Sequence, residues 1–121
     1  AHIGDSRVYL VRRGRIAERT RDHSHVEFLI REGLISEEQA QAHPMRNFVE
    51  CCIGGEPALP DMALSRRRPL QPGDILLVCS DGVWSNLRDA EIAAFCTPGG
   101  PPLAQALSDL VDRAVRASAP Q

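Results

Sequence analysis

The segment GDILLVCSDGVW, residues 73–84, constrains the fold more than any other part of the chain. Its apolar run Ile75–Cys79 is short and continuous, which predicts a strand buried on both faces. Ser80, Asp81 and Gly82 follow without a spacer. The Asp81 carboxylate is therefore expected at the rim of the core, where a metal ligand or a catalytic acid would be held rigidly. Asp is also common in turns and helix caps, so a turn before the next helix is an equal alternative.

Length, charge and cysteine content narrow the class of protein. A chain of 121 residues is long enough for one domain. A net charge of -2 does not favour nucleic acid or an anionic membrane as a partner, and no apolar run reaches the length of a membrane span. Two of the four cysteines are adjacent and no C-x-x-C occurs, which indicates buried thiols in a reducing, cytoplasmic compartment.

A second acidic candidate, Asp5, lies near the start of the chain. Residues 2–12 are predicted to form a strand, followed by a hairpin turn at Gly14 and a returning strand over residues 15–20. A carboxylate within a strand is unfavourable unless it is paired, solvated or bound to a metal. The alternative is a surface Asp at a bulge formed beside Gly4.

Two short helices are predicted between residues 24 and 44. Ser24 with Glu27, and Ser36 with the acidic and amide residues that follow it, have the spacing of capping boxes. The pair is expected to form a helical hairpin lying on a sheet. His23 and His25 could be ligands, but a solvent-facing turn is the favoured interpretation.

The remaining elements are less regular. Residues 47–53 resemble a strand, residues 61–68 an edge strand, and residues 88–95 a helix. The last helix is predicted over residues 103–117, with one apolar face. That face comprises Leu103, Leu107, Leu110, Val111, Ala114 and Val115.

Five segments, in this order along the chain, resemble the metal-dependent protein phosphatases, which are the protein phosphatase 2C-type serine/threonine enzymes in their bacterial form. The segments are GDSRVYL, TRDHS, GLISEEQAQAHPMRN, CCIGG and PGDILLVCSDGVW. The resemblance extends from Ala1 to about Val115. It implies an α+β fold, part of an α-β-β-α sandwich of two antiparallel sheets with flanking helices. Residues 1–121 would form a single partial phosphatase domain whose N-terminal half is missing.

The resemblance also implies a reaction, the hydrolysis of phosphoserine or phosphothreonine in a protein substrate by a metal-bound water. Two Mg²⁺ or Mn²⁺ ions would be held mainly by Asp carboxylates. Asp81 matches the metal-bridging Asp of the S-D-G motif. Asp5 matches the Asp of the G-D-S-R motif, which serves a further, weaker metal site in some members. Residues 24–47 match the flap beside the active site, which is tied to substrate choice.

This sequence departs from the family pattern in ways that bear on activity. The family's other metal ligands, in its N-terminal half and in a final D-N motif, have no counterpart here, and Ser85 stands where many members carry another acidic ligand. The isolated chain is therefore expected to be inactive, with a non-catalytic binding or regulatory module as the alternative. A haloacid dehalogenase-type site is disfavoured because it needs a second Asp where Val83 stands.

One further prediction, about self-association of the chain, follows from the implied sandwich fold. Half of a sandwich would leave apolar side chains of one sheet face uncovered, and the chain is expected to self-associate through that face. The side chains expected there are Val8, Leu10, Val49, Leu76 and Val78.

Overall fold

The computed structural model describes residues 1–54 and 62–120, which form two compact units. The flap unit comprises residues 1–6 and 21–67, and the sheet unit comprises residues 7–20 and 68–121. The sheet unit contains the three β-strands, and the flap unit contains two short helices. The chain is thus an α+β protein with an antiparallel sheet, as the sequence predicts.

The sheet unit begins with a β-hairpin. Strand β1 (Arg7–Arg12) pairs antiparallel with β2 (Arg15–Arg19). Arg13 and Gly14 connect them with φ angles of 53° and 73°. A two-residue connection with both φ values positive matches the right-handed twist of the strands. The predicted hairpin is confirmed, although its first strand starts at Arg7 and not at residue 2.

Strand β3 (Ile75–Cys79) pairs antiparallel with β1, giving the strand order β2-β1-β3. Alternate residues of β3 pack against the hydrophobic core, whereas Leu76 and Val78 are 56% and 71% exposed. The prediction that this strand is buried on both faces is wrong. Described residues cover only one face of β3, so the strand alternates between buried and exposed positions.

Three helices follow β3: α3 (Asp81–Trp84), α4 (Asp89–Ala94) and α5 (Leu103–Ser118). Helices α4 and α5 agree with the predicted helices, whereas α3 was not predicted. Fully or nearly fully buried residues from β1, the loop before α4, α4 and α5 form the core. They are Tyr9, Val11, Leu87, Ile92, Ala93, Leu110 and Ala114.

The apolar face predicted for α5 is divided in the structure. Ala106, Leu110 and Ala114 are buried at a spacing of four residues, which is one narrow line along a helix. The neighbouring apolar line is exposed, so only part of the predicted apolar face is buried. The exposed line consists of Leu103, Leu107, Val111 and Val115.

The flap unit contains α1 (His25–Arg31) and α2 (Glu37–Gln41), each capped by a serine. Ser36 and Gln39 form a complete capping box, as predicted. Ser24 accepts a hydrogen bond from the Glu27 amide at 3.3 Å, but the Glu27 carboxylate binds Arg21 instead of returning to the cap. The first capping box is therefore only half formed.

Two strand predictions in the flap unit are not realised in the described residues. Within residues 47–53, pairing is limited to an isolated bridge between Val49 and Ser24, and within residues 62–68 to a bridge between Ala63 and His2. Asp61 lies outside the described residues. The apolar alternation in these stretches is too short and irregular to support a ladder. No described helix has the length and hydropathy needed to span a membrane.

Candidate functional site

Asp81 follows strand β3 after one intervening residue and is the first residue of α3. Its side chain is exposed. Among residues 1–54 and 62–120 the carboxylate makes no hydrogen bond or ion pair. Ser80 precedes it in extended conformation and makes no side-chain capping bond. An exposed carboxylate with its oxygens uncommitted, attached to the end of a core strand, is suited to binding a cation.

The backbone around Asp81 is tightly bonded. The amide and hydroxyl of Ser85 both donate to the Asp81 carbonyl oxygen, at 2.9 and 2.5 Å. The Val83 amide donates to the Ser80 carbonyl oxygen at 3.2 Å, so it is not used by the Asp81 carboxylate. As a turn residue, Asp81 would accept a hydrogen bond at its carboxylate from the Val83 or Trp84 amide, and no such bond is present among the described residues. Gly82 has no positive φ and lies in the helix, so the backbone conformation after Asp81 does not require a glycine.

Polar side chains at the end of the sheet connect β1 with α3 and α4. The Arg7 guanidinium lies over the Trp84 ring, 3.9 Å from its centroid, and donates to the Tyr9 hydroxyl at 3.1 Å. That hydroxyl donates to Asp89 at 3.3 Å. Arg19 contacts the same carboxylate at 3.3 Å, while its Nη1 is buried without a hydrogen-bond partner in the described part of the chain. Burial raises the pKa of Tyr9 to about 12.

Asp5 belongs to the flap unit and lies in a bend before β1, not in a strand. The bend is set by Gly4, whose φ of +97° is unfavourable for residues with a side chain. His23 forms two hydrogen bonds with Gly4. The His23 Nδ1 accepts from the Gly4 amide at 3.2 Å, and the His23 amide donates to the Gly4 carbonyl oxygen at 3.0 Å. The ring of His2 stacks on His23 at 5.0 Å. The solvent-facing turn predicted for His23 is therefore wrong, because the side chain is half-buried and bonded.

His25, the other histidine considered as a ligand, is paired within the flap unit. Its Nδ1 lies 2.9 Å from the Glu50 carboxylate, and its amide donates to the Phe48 carbonyl oxygen at 3.1 Å. The rings of His25 and His43 are 6.4 Å apart. These contacts hold the start of α1 against residues 48–50, a structural role that the sequence did not indicate.

The described residues do not assemble a complete metal site. No group of three or more His, Cys, Asp or Glu side chains within residues 1–54 and 62–120 could hold a metal ion. Asp5 and Asp81 belong to different compact units. A hard divalent cation takes about six oxygen ligands, so Asp81 fits the role of one ligand in a site that needs several more.

Known proteins similar to this chain are serine/threonine phosphatases. A protein phosphatase 2C-type protein of Streptococcus pyogenes is 44% identical over 93 residues, which is 76% of this chain and 37% of that protein. The structure of the S. agalactiae serine/threonine phosphatase is 36% identical with a TM-score of 0.81, over 98% of this chain and 48% of that one. The catalytic domain of the phosphatase PstP, solved with two manganese ions, is 32% identical with a TM-score of 0.69, over 96% of this chain and 46% of that one. No family model matches the chain.

The sequence identity and the structural likeness together define a class of protein. The chain belongs to the protein phosphatase 2C-type family of serine/threonine phosphatases. It spans less than half the length of the curated relatives it matches, from 22% to 44% in the M. tuberculosis and S. pneumoniae proteins. It corresponds to part of the phosphatase fold.

Proposed function

We propose that this chain is the part of a metal-dependent phosphatase domain that supplies Asp81, and that the intact domain hydrolyses phosphoserine or phosphothreonine in protein substrates. The observation that carries the proposal is the Asp81 carboxylate, exposed and uncommitted at the end of β3, in a chain that aligns with known serine/threonine phosphatases. Asp5 is proposed as a ligand of a further, weaker site.

The proposed cofactor is Mg²⁺ or Mn²⁺, and the two manganese ions in the PstP structure support this choice. Bound ions of this kind polarise phosphoryl oxygens and acidify a coordinated water. The chain's own contribution is to place the Asp81 carboxylate rigidly, since the Ser85 amide and hydroxyl fix its backbone carbonyl. The other oxygen ligands would come from residues outside the matched part of the domain.

The proposed substrate is a phosphorylated protein, and the proposed compartment is the cytoplasm. The cytoplasmic compartment is inferred from the cysteines. None of Cys51, Cys52, Cys79 and Cys96 forms a disulfide, and cysteines without disulfides are typical of a reducing environment. Burial raises the pKa of the Cys96 thiol, which keeps it protonated and unreactive.

We expect the isolated 121-residue chain to show no metal-dependent phosphatase activity, because one or two carboxylates do not complete a six-ligand site. The test is hydrolysis of an aryl phosphate with and without Mn²⁺, compared with the Asp81→Asn variant. Equal background rates in both proteins are expected. Metal-dependent turnover by the isolated chain that disappears in Asp81→Asn would contradict this expectation.

In the intact domain the same substitution should have a large effect. Loss of residues that only orient metal ligands costs about 10–100-fold, so Asp81→Asn should reduce Mn²⁺-dependent dephosphorylation of a phosphothreonine peptide by at least about 100-fold. Asp109→Asn is the matched control, because Asp109 is partly exposed on α5 and bonds only Gln105 among the described residues. Absent hydrolysis by the intact domain would overturn the enzymatic proposal and favour a binding or regulatory module, whereas metal-independent hydrolysis would overturn the proposed role of the metal.

A further inference from the structure

The helix that carries Asp81 is too short to fix its own orientation. Helix α3 contains four residues, Asp81–Trp84, and an isolated helix of one turn is unstable in water. Its direction must therefore be set by contacts with the rest of the sheet unit. Asp81 and Trp84 are the first and last residues of α3, so contacts that fix Trp84 also restrict the position of the Asp81 carboxylate.

Trp84 is held by a side chain from β1. The Arg7 guanidinium lies 3.9 Å from the centroid of the Trp84 ring, well within the range of a cation–π contact. The Arg7 side chain is only 11% exposed. A stacking contact shielded from water is stronger than one at the surface.

Contacts with Tyr9 and Asp89 hold Arg7 itself in place. It donates to the hydroxyl of the fully buried Tyr9 at 3.1 Å and lies 4.0 Å from Asp89. Asp89 is also contacted by Arg19. The sheet and α4 therefore fix the position of the planar guanidinium independently of its contact with the Trp84 ring.

We propose that Arg7 is a positioning residue for the metal ligand Asp81. It acts through Trp84 by setting the direction of α3, and it does not touch the substrate or the metal. The inference rests on the function proposed above. Metal sites tolerate only about 0.2 Å of error in ligand distance, so a small rotation of a one-turn helix is sufficient to weaken a bond from Asp81.

The test compares Arg7→Met with Arg12→Met in the intact phosphatase domain. Both arginines project from β1, but Arg12 binds Asp74 at 2.8 Å and does not contact α3 in the described residues. Mn²⁺ dissociation constants are measured by calorimetry, urea midpoints by circular dichroism, and the environment of Trp84, the single tryptophan, by fluorescence. We expect Arg7→Met to weaken Mn²⁺ binding by about 10-fold or more, the range for residues that orient metal ligands. Arg12→Met should leave Mn²⁺ binding within about 2-fold of the wild type while lowering the urea midpoint.

Three further variants keep the result interpretable if Arg7→Met folds poorly. Arg7→Lys retains the charge but loses the planar stack and should weaken Mn²⁺ binding in the same direction. Trp84→Phe retains an aromatic face and should weaken it less than Trp84→Ala. Mn²⁺ affinities that follow the loss of stability equally in the Arg7 and Arg12 variants would overturn the positioning role. A wild-type domain that neither binds Mn²⁺ nor hydrolyses phosphopeptide would instead refute the proposed function on which it rests.

Discussion

At the scale of single residues, Tyr9 shows why a hydrogen-bond partner distant in the sequence cannot be predicted from the sequence. Tyr9 lies in the continuous apolar run of β1, a pattern that predicts a strand. Its hydroxyl partners, Arg7 and Asp89, lie two residues before it and eighty residues after it. Nothing in the local sequence marks Asp89 as a partner, because that contact exists only once α4 is placed beside the sheet.

Tyr9 is the only tyrosine in the chain, so its ionisation can be followed directly by phenolate absorbance. Burial raises its pKa to about 12, whereas an unfolded tyrosine titrates near about 10. Because the folded state holds the proton more tightly, this contribution to stability is present below about pH 10 and is lost as pH rises toward 12. We expect a native transition near 12 and a transition near 10 in urea. A native transition near 10 in a chain still folded by circular dichroism would contradict this.

At the scale of elements, features that depend on neighbouring residues in the sequence were predicted well, whereas features that depend on tertiary packing were not. The Arg13-Gly14 turn and the Ser36–Gln39 capping box depend on residues within a few positions of each other, and both were predicted from the sequence. The burial of β3 and of the individual α5 positions depends on what packs against them, and the prediction that β3 is buried on both faces was wrong. The position of Asp81 near the end of β3 could be predicted because only Ser80 separates them, whereas the hydrogen bonds between His23 and Gly4 could not be predicted.

The pairing of β1 with β3 is reinforced by an ion pair between Arg12 and Asp74. The Asp74 side chain is 4% exposed and accepts two hydrogen bonds from Arg12 and one from the Gln71 amide. The Arg12 hydrogen bonds lower the pKa of Asp74 to about 2. A carboxylate whose folded pKa is lowered contributes stability above its unfolded value of about 4, and this is lost as pH falls toward 2.

Asp74→Asn should therefore lower the urea midpoint at pH 7, and its difference from the wild type should shrink as the pH is lowered from about 5 to 2. The Asp109→Asn variant, which removes a partly exposed carboxylate from α5, should track the wild type across the same range. If the difference in urea midpoint between Asp74→Asn and the wild type stayed constant with pH, the ion pair would not couple folding to the charge of Asp74.

At the scale of the whole molecule, the sheet unit leaves apolar side chains exposed on the face opposite its core. Leu76 and Val78 are largely exposed on β3. Of the other residues predicted for an open face, Val8 is half-buried, Leu10 is only 6% exposed, and Val49 lies in the flap unit. The open part of the sheet is therefore smaller than predicted and is concentrated on β3.

We expect the isolated chain to self-associate through Leu76 and Val78, because contiguous exposed apolar surface on a strand favours association. Replacing both residues by Thr should preserve the strand, since Thr has high β-propensity, while shifting sedimentation velocity profiles toward monomer and reducing hydrophobic dye binding. The exposed line on α5 offers a competing surface, so Leu103→Gln with Leu107→Gln is the matched control and should leave association unchanged. A wild-type chain that is monomeric with a sharp cooperative melt would refute the prediction, and loss of association only in the α5 variant would move the interface to that helix.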